Sequence, residues 1–366
     1  MNSPSAACRS EASDPSGGGV AAVEHRPASD ARGGMPGESG NAVLAQRLYG
    51  PITHLMPVVE QRLAGELQTR YELLAPILRH GVQLGGKRLR PALVLLSGMA
   101  ISPERVRDDH VTLGVVLEMV HTATLIHDDV LDAADRRRKV ETINAVWGDH
   151  VSILLGDYLF SQAFRLSATL DSTEACRWIG EASRSVCEGE LRQVLARDRT
   201  DLDEASYLEM LRGKTAELCS VACRLGASFA GATAEHIAAL SRYGDALGIA
   251  FQIADDYLDL WGDDAIVGKT LGTDIQQGKW TLPVLRLLQT ATPGEAKRIR
   301  AILAGEPQRR LAELLPRLET SDAREYTRGV AQSYRDRACD SLAGLINSPA
   351  KRSLTDLATF AISRTF

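Results

Sequence analysis

From about Ala42 to the end of the chain, apolar residues recur at intervals of three and four, the spacing that gathers them on one face of an α-helix. No β-branched residues alternate with polar ones between tight-turn signals, so the pattern predicts helices and no strands. The helices fall near 42–68, 71–80, 91–100, 103–135, 142–148, 150–170, 173–197, 203–212, 214–230, 233–261, 280–291, 295–304, 307–317, 322–345 and 350–363. With no linker among them, 42–366 reads as one all-α domain. In large helical bundles, ligand and metal sites are built in the core from side chains on facing helices.

Residues 1–41 are rich in Gly, Ser, Ala and Pro and contain no run able to bury a core, so they read as a disordered tail. Glu11, Asp14, Glu24 and Asp30, and the lack of an apolar stretch, set this segment apart from secretory and organelle-targeting sequences. No later run reaches the roughly 18 uninterrupted apolar residues of a membrane span. The expectation is a soluble, cytoplasmic protein that is not integral to a membrane.

Composition narrows the classes further. The 366 residues suffice for a sizeable core. Lys plus Arg number 42 against 47 Asp plus Glu, a net charge of -5, which excludes the basic balance of a nucleic-acid binder. Cys8, Cys176, Cys187, Cys219, Cys223 and Cys339 form no CxxC pair and no secreted-domain spacing, so neither a zinc site nor a disulfide framework is indicated. Reduced thiols are expected. Cys219 and Cys223 share a helix face and read as small core residues.

Against this background one stretch stands out. Residues Leu125–Asp132 read LIHDDVLD, an apolar helical run that ends in Asp128, Asp129 and Asp132 and is followed by Arg136, Arg137 and Arg138. Asp128 and Asp132, four apart, point the same way on a helix. Carboxylates that close repel unless a cation neutralises them. Hard oxygen ligands in ones and twos suit magnesium that also coordinates phosphate. Alone, the stretch reads equally as a solvated helix end paired with its arginines. The pattern recurs, however: Gln252–Asp259 read QIADDYLD, with Asp255, Asp256 and Asp259 closing a second apolar run. Two helices presenting acids to a common cavity, with metal and polyphosphate between them, is the simpler account.

Upstream lies Gly85-Gly86-Lys87-Arg88-Leu89-Arg90-Pro91. Glycines permit close backbone approach, Pro91 suits a helix start, and helix N-termini attract anions. With Lys87 and Arg90 this reads as a diphosphate cradle, the bland alternative being a solvated turn. It is not a P-loop, because no GxxxxGK[ST] follows a strand.

Taken together, GGKRLRP, HTATLIHDDVLD, NAVWGDHVSILLGDYLFSQAF from Asn144, Gly213-Lys214-Thr215-Ala216, FQIADDYLD from Phe251 and GKTLGTDIQQGKWTLP from Gly268 closely resemble the trans (E-type) polyprenyl diphosphate synthases. The resemblance runs from about Leu44 to the C-terminus. It implies the isoprenoid synthase fold, a large helical bundle around a central cavity, usually a homodimer. It further implies prenyl transfer: an allylic diphosphate ionises, isopentenyl diphosphate attacks the allylic cation, and a proton leaves. Magnesium, about two to three ions, would clamp the departing diphosphate as a Lewis acid. Oxygen ligands alone admit manganese as well.

Residue by residue, the resemblance gives Asp128, Asp132, Asp255 and Asp259 as metal ligands, with Asp129 and Asp256 beside them in the catalytic set. Lys87, Arg90, His121 and Arg138 fall on isopentenyl diphosphate, whereas Arg137, Lys214, Thr215, Gln252 and Lys269 fall on the allylic diphosphate. Arginine suits this work because its rigid fork grips phosphate oxygens two at a time. Without the motif His121 would read as a satisfied core histidine. Lys279 reads equally as a further charge at that end or as a solvated loop lysine. No protein base is assigned, the released pyrophosphate being a plausible proton acceptor. The chain departs from the family after its arginine pair, where Lys139, Val140, Glu141 and Thr142 replace the usual Gly and Lys-Pro-Thr. That changes the allowed backbone of the loop and bears on its dynamics more than on the reaction.

Chain length has its own signal. Behind Asp128 on the helix lie Thr124 and Ala123, then Val120, then Leu117 and Val116, each turn rising about 5.4 Å. By resemblance, an aromatic residue one turn behind the acids floors the tunnel of short-chain members. Here Ala123 and Thr124 are small, which points to a long-chain product, with a geranylgeranyl-type product as the alternative. Terpene cyclases of the same fold generally carry an Asn/Ser/Glu second motif and need no isopentenyl site. An inactive partner subunit would be expected to lose acids, and none is lost.

Overall fold

The first helices show how the chain punctuates itself. In the computed structural model, which describes residues 36–83, 86–137, 140–196, 202–262 and 271–363, α1 (Pro36–Tyr49) and α2 (Met56–Glu66) replace the single helix expected over 42–68. Pro51 lies in a 3-10 turn between them, and Pro57 occupies the first turn of α2, where a missing N–H costs nothing. Then follow α3 (Ala75–Gln83), α4 (Leu89–Ile101), α5 (Asp108–Leu131), α6 (Ile143–Trp147), α7 (Asp149–Ser167), α8 (Thr173–Ala196) and α9 (Glu204–Leu211). The remainder comprises α10 (Glu217–Phe229), α11 (Ala234–Trp261), α12 (Thr273–Gln276), α13 (Leu282–Thr290), α14 (Pro293–Leu303), α15 (Pro307–Glu319), α16 (Ala323–Ser341) and α17 (Pro349–Ser363).

Six helices make the centre. α10 packs on α4 and α11, α4 on α5, α5 on α7, and α11 on α16. A helix segment apolar all round belongs in a core, and the middle of α5 is such a segment apart from Glu118: Leu113, Val115, Val116, Leu117, Met119 and Val120 are all fully buried. Close approach is built in at Gly226, where a Cβ would come within 2.1 Å of the Val94 carbonyl oxygen, so α10 and α4 meet backbone to backbone. Cys219 and Cys223 lie buried in this centre, and the described cysteines are all free thiols.

The helix expected over 103–135 is shorter than its pattern. A 3-10 turn (Pro103–Arg105) precedes it, and α5 stops at Leu131 because Ala133 turns left-handed, at φ +47°. The N–H groups of Ala134 and Ala133 donate back to the carbonyls of Asp129 and Val130 (2.9 and 3.2 Å), a Schellman closure. Glycine usually fills that position, and with alanine the stop signal is hidden. The strand-free expectation also needs one correction: Arg136–Arg137 and Val140–Glu141 pair antiparallel, in register Arg136 with Glu141. Two-residue strands are too short to carry a periodicity. No helix among the described residues is long and apolar enough to cross a membrane.

Candidate active site

The two acid runs end α5 and α11, and each splits the same way. Asp128 and Asp132 are half-buried, whereas Asp129 is 1% exposed. Asp255 and Asp259 are half-buried, whereas Asp256 is 5% exposed. Consecutive helical residues lie about 100° apart, so the second acid of each run must turn away from the face shared by its neighbours.

Those inward acids are bound. Arg137 Nε and Nη2 donate to Asp129 Oδ1 at 2.9 and 2.8 Å, so the short ladder after α5 folds its arginine back under the acid run. Burial pushes the Asp129 carboxyl upward, and the pull of Arg137 does not cancel the rise. On α11 the Tyr207 hydroxyl donates to Asp256 Oδ2 at 2.7 Å and Gln252 Nε2 to Oδ1 at 3.0 Å. Burial and the neighbouring Asp274 push Asp256 up to about 8 despite those donors. Gln252 Oε1 in turn accepts from Thr215 Oγ1 at 3.1 Å, so a relay from Tyr207 through Asp256 and Gln252 fixes Thr215.

Two lysines sit against the acids. Lys279 Nζ lies 3.2 Å from Asp132 Oδ2 and 3.4 Å from Asp274 Oδ1, and the Asp274 N–H donates to Asp259 Oδ2 at 3.1 Å. Lys214 Nζ lies 3.6 Å from Asp128 Oδ2 and 2.5 Å from Glu190 Oε1, and donates to Gln193 Oε1 at 3.0 Å. Burial opposes the Lys214 charge, and the carboxylates of Asp128, Glu190 and Asp132 outweigh it, raising its pKa. Lys214 sits in a π-turn (Arg212–Ala216) ahead of α10, in place of the helix start expected at 214. Such turns commonly mark functional sites. Through Lys279 and Asp274, the end of α5 is tied to Asp259 at the end of α11.

The cradle is held from behind. Arg88, at φ +51°, sends Nε and Nη2 to both carboxylate oxygens of Glu60 (2.7 and 3.1 Å) and Nη1 to Glu118 Oε1 (3.0 Å). Glu118 stands one turn before His121 on α5, so one buried guanidinium ties the turn to the histidine's helix. Lys87 Nζ rests over the Phe360 ring of α17 at 4.8 Å. Arg90 Nε is buried with no hydrogen-bond partner among the described residues, a donor waiting for an acceptor. Behind the acids, Val120 and Ala123 are fully buried and Thr124 half-buried. Arg138 and Lys269 lie outside the described residues.

Glu190, Gln193, Tyr207, Glu60, Glu118 and Arg88 escaped the reading of the chain. Glu118 had a signal, being a lone acid inside an apolar run, which burial forbids without a partner. Among the described residues no three acids form a ready-made cage for a cation. Half-buried carboxylates in ones and twos fit a hard divalent cation that completes its shell with phosphate oxygens.

The sequence model of the polyprenyl synthetase family matches residues 71–316, which span both acid runs and the cradle. The octaprenyl diphosphate synthase of Escherichia coli is 35% identical over 328 residues, covering 89% of this chain and 98% of its own length. The nonaprenyl diphosphate synthase of Mycobacterium tuberculosis is 37% identical over 327 residues, covering 89% of this chain and 96% of its own. Among solved structures, a polyprenyl synthase from Caulobacter crescentus, complexed with calcium and isoprenyl diphosphate, superposes with a TM-score of 0.81 at 33% identity, covering 87% of this chain and 97% of its own.

Proposed function

This chain belongs to the polyprenyl synthetase family, and on that premise we propose that it adds isopentenyl diphosphate units head to tail to an allylic diphosphate, yielding a long all-trans polyprenyl diphosphate. The observation that carries the proposal is the joining of the two acid runs through Lys279, which stands between Asp132 and Asp274 of α12, whose N–H donates to Asp259.

Asp128, Asp132, Asp255 and Asp259 would hold magnesium, which when bound would supply Lewis-acid stabilisation of the leaving diphosphate. Asp129 and Asp256 act as positioning residues, because Arg137, Tyr207 and Gln252 already occupy their oxygens. Lys214 and Thr215 meet the allylic diphosphate, with Arg137, Gln252, Lys269 and Lys279 beside them. Preorganised positive charge aimed at a leaving group is the main catalytic device such a reaction needs. Lys87, Arg90, His121 and Arg138 hold isopentenyl diphosphate, and the unsatisfied Arg90 Nε supports that role. The allylic cation is transient, and the proton lost after condensation passes to the released pyrophosphate.

The product is placed in the long-chain class used for quinone side chains. Support comes from the small residues Ala123 and Thr124 behind the acids and from relatives named for octaprenyl and nonaprenyl products. Incubating the protein with farnesyl diphosphate, labelled isopentenyl diphosphate and magnesium, then separating the dephosphorylated products, tests the proposal. A ladder ending well beyond twenty carbons is expected. Products that stop at fifteen or twenty carbons would refute the long-chain assignment, and products without label would point to a cyclase.

A further inference from the structure

Lys214 has more acceptors around it than its proposed task requires. One is Asp128 of the acid run, at 3.6 Å; nearer are Glu190 Oε1 at 2.5 Å and Gln193 Oε1 at 3.0 Å, both on α8. Glu190 and Gln193 stand three apart, on one helix face.

The backbone makes this arrangement deliberate. At Gly189 a Cβ would lie 2.8 Å from the Lys214 backbone nitrogen and 3.2 Å from the Gly213 carbonyl carbon. At Gly213 a Cβ would lie 2.9 Å from the Ser185 carbonyl oxygen and 3.3 Å from the Gly189 Cα. Two glycines facing each other let α8 press against the π-turn that carries Lys214. The side chain next to Gly189 on α8 is Glu190. The crossing thus delivers a carboxylate to the ammonium.

We propose that Glu190 and Gln193 form a seat that holds the Lys214 ammonium off Asp128, keeping that carboxylate open to a divalent cation while presenting the lysine to the diphosphate. The inference rests on the reading of Asp128 as a cation ligand and of Lys214 as a diphosphate ligand. An ammonium 3.6 Å from a carboxylate is one short movement from a close ion pair, and a close ion pair at Asp128 competes with the metal for the same oxygen. Glu190, at the shorter distance, wins that competition. Glu190 is a positioning residue here: it acts through Lys214 and not on the reacting atoms.

The test is Mn2+ binding to the full chain in the presence of inorganic pyrophosphate, read from the electron paramagnetic resonance of free Mn2+, for the wild type, Glu190→Gln, Lys214→Met and the double variant. Glu190→Gln releases Lys214 onto Asp128 and weakens Mn2+ about tenfold, the size of a partly buried charge-pair coupling. In the Lys214→Met background the same substitution has less than about a twofold effect, because no ammonium is left to move. Gln193→Leu removes one arm of the seat without a charge change and weakens Mn2+ in the same direction, which keeps the test alive should Glu190→Gln fail to fold. Glu190→Asp retains the anion and restores most of the affinity. Wild-type affinity in Glu190→Gln, or an equal loss with and without Lys214, would overturn the seat. Wild-type affinity in Asp128→Asn would instead overturn the reading of the acids on which the seat depends.

Discussion

Lys279 Nζ stands 3.2 Å from Asp132 Oδ2, although 147 residues separate the two in the chain. One end of the pair closes α5 and the other follows α12, so the contact spans the space between the acid runs. Lys279 is 14% exposed and also reaches Asp274, leaving it better placed as a structural cation of the site than as a solvated loop lysine. Removing its charge in Lys279→Met is expected to lower kcat/KM for the allylic substrate about a hundredfold, the scale of one lost electrostatic contact to a leaving group. Steady-state kinetics with helical circular dichroism as a control checks this.

Arg88 is a different kind of cation, because it faces inward. Its partners Glu118 (1% exposed) and Glu60 leave it no freedom to meet substrate. Arg88→Met strands the buried Glu118 carboxylate and is expected to cost about 3 kcal/mol or more of stability. Arg88→Lys keeps the charge but loses the fork that reaches two carboxylates, and it should recover only part of the loss. Urea denaturation distinguishes the three proteins.

Stability should fall on mild acidification through His110. Its ring lies buried against Phe229, with Nε2 3.2 Å from the Gly226 carbonyl oxygen, and burial holds its pKa below the ordinary 6.5. The unfolded imidazole therefore takes up a proton before the folded one does. Its contribution is intact above pH 6.5 and is lost as pH drops below that value toward the lowered folded pKa. The melting-temperature gap between wild type and His110→Gln should narrow as pH is lowered through this window.

Ala123 is fully buried one turn behind the acids. Ala123→Tyr should shorten the product, at an overpacking cost of about 1–3 kcal/mol. Product chromatography with the folded variant decides it, and an unchanged chain length removes Ala123 from the role.

Much of this site was legible in the chain because its chemistry is concentrated in short contiguous strings. Asp128 to Asp132 and Asp255 to Asp259 each place their carboxylates within about one helical turn, where spacing alone fixes a shared face, and GGKRLRP gathers its cations in seven residues. The boundaries of α7, α8 and α11 followed for a related reason, since long periodic runs announce themselves. What escaped depends on which helices cross. Glu190 meets Lys214 only because Gly189 lets α8 approach Gly213, and no local pattern encodes that meeting. Tyr207 reaches Asp256 across 49 residues. The early stop of α5 was hidden by an alanine in a left-handed position that glycine would have advertised.

The central claim is that both acid runs act on one diphosphate. Its most direct test is the rate of pyrophosphate release from farnesyl diphosphate and isopentenyl diphosphate under saturating magnesium, compared for the wild type, Asp128→Asn and Asp255→Asn. Each substitution alone should slow release by about a hundredfold or more, with helical content retained. A folded variant of either acid that turns over at the wild-type rate would contradict the claim.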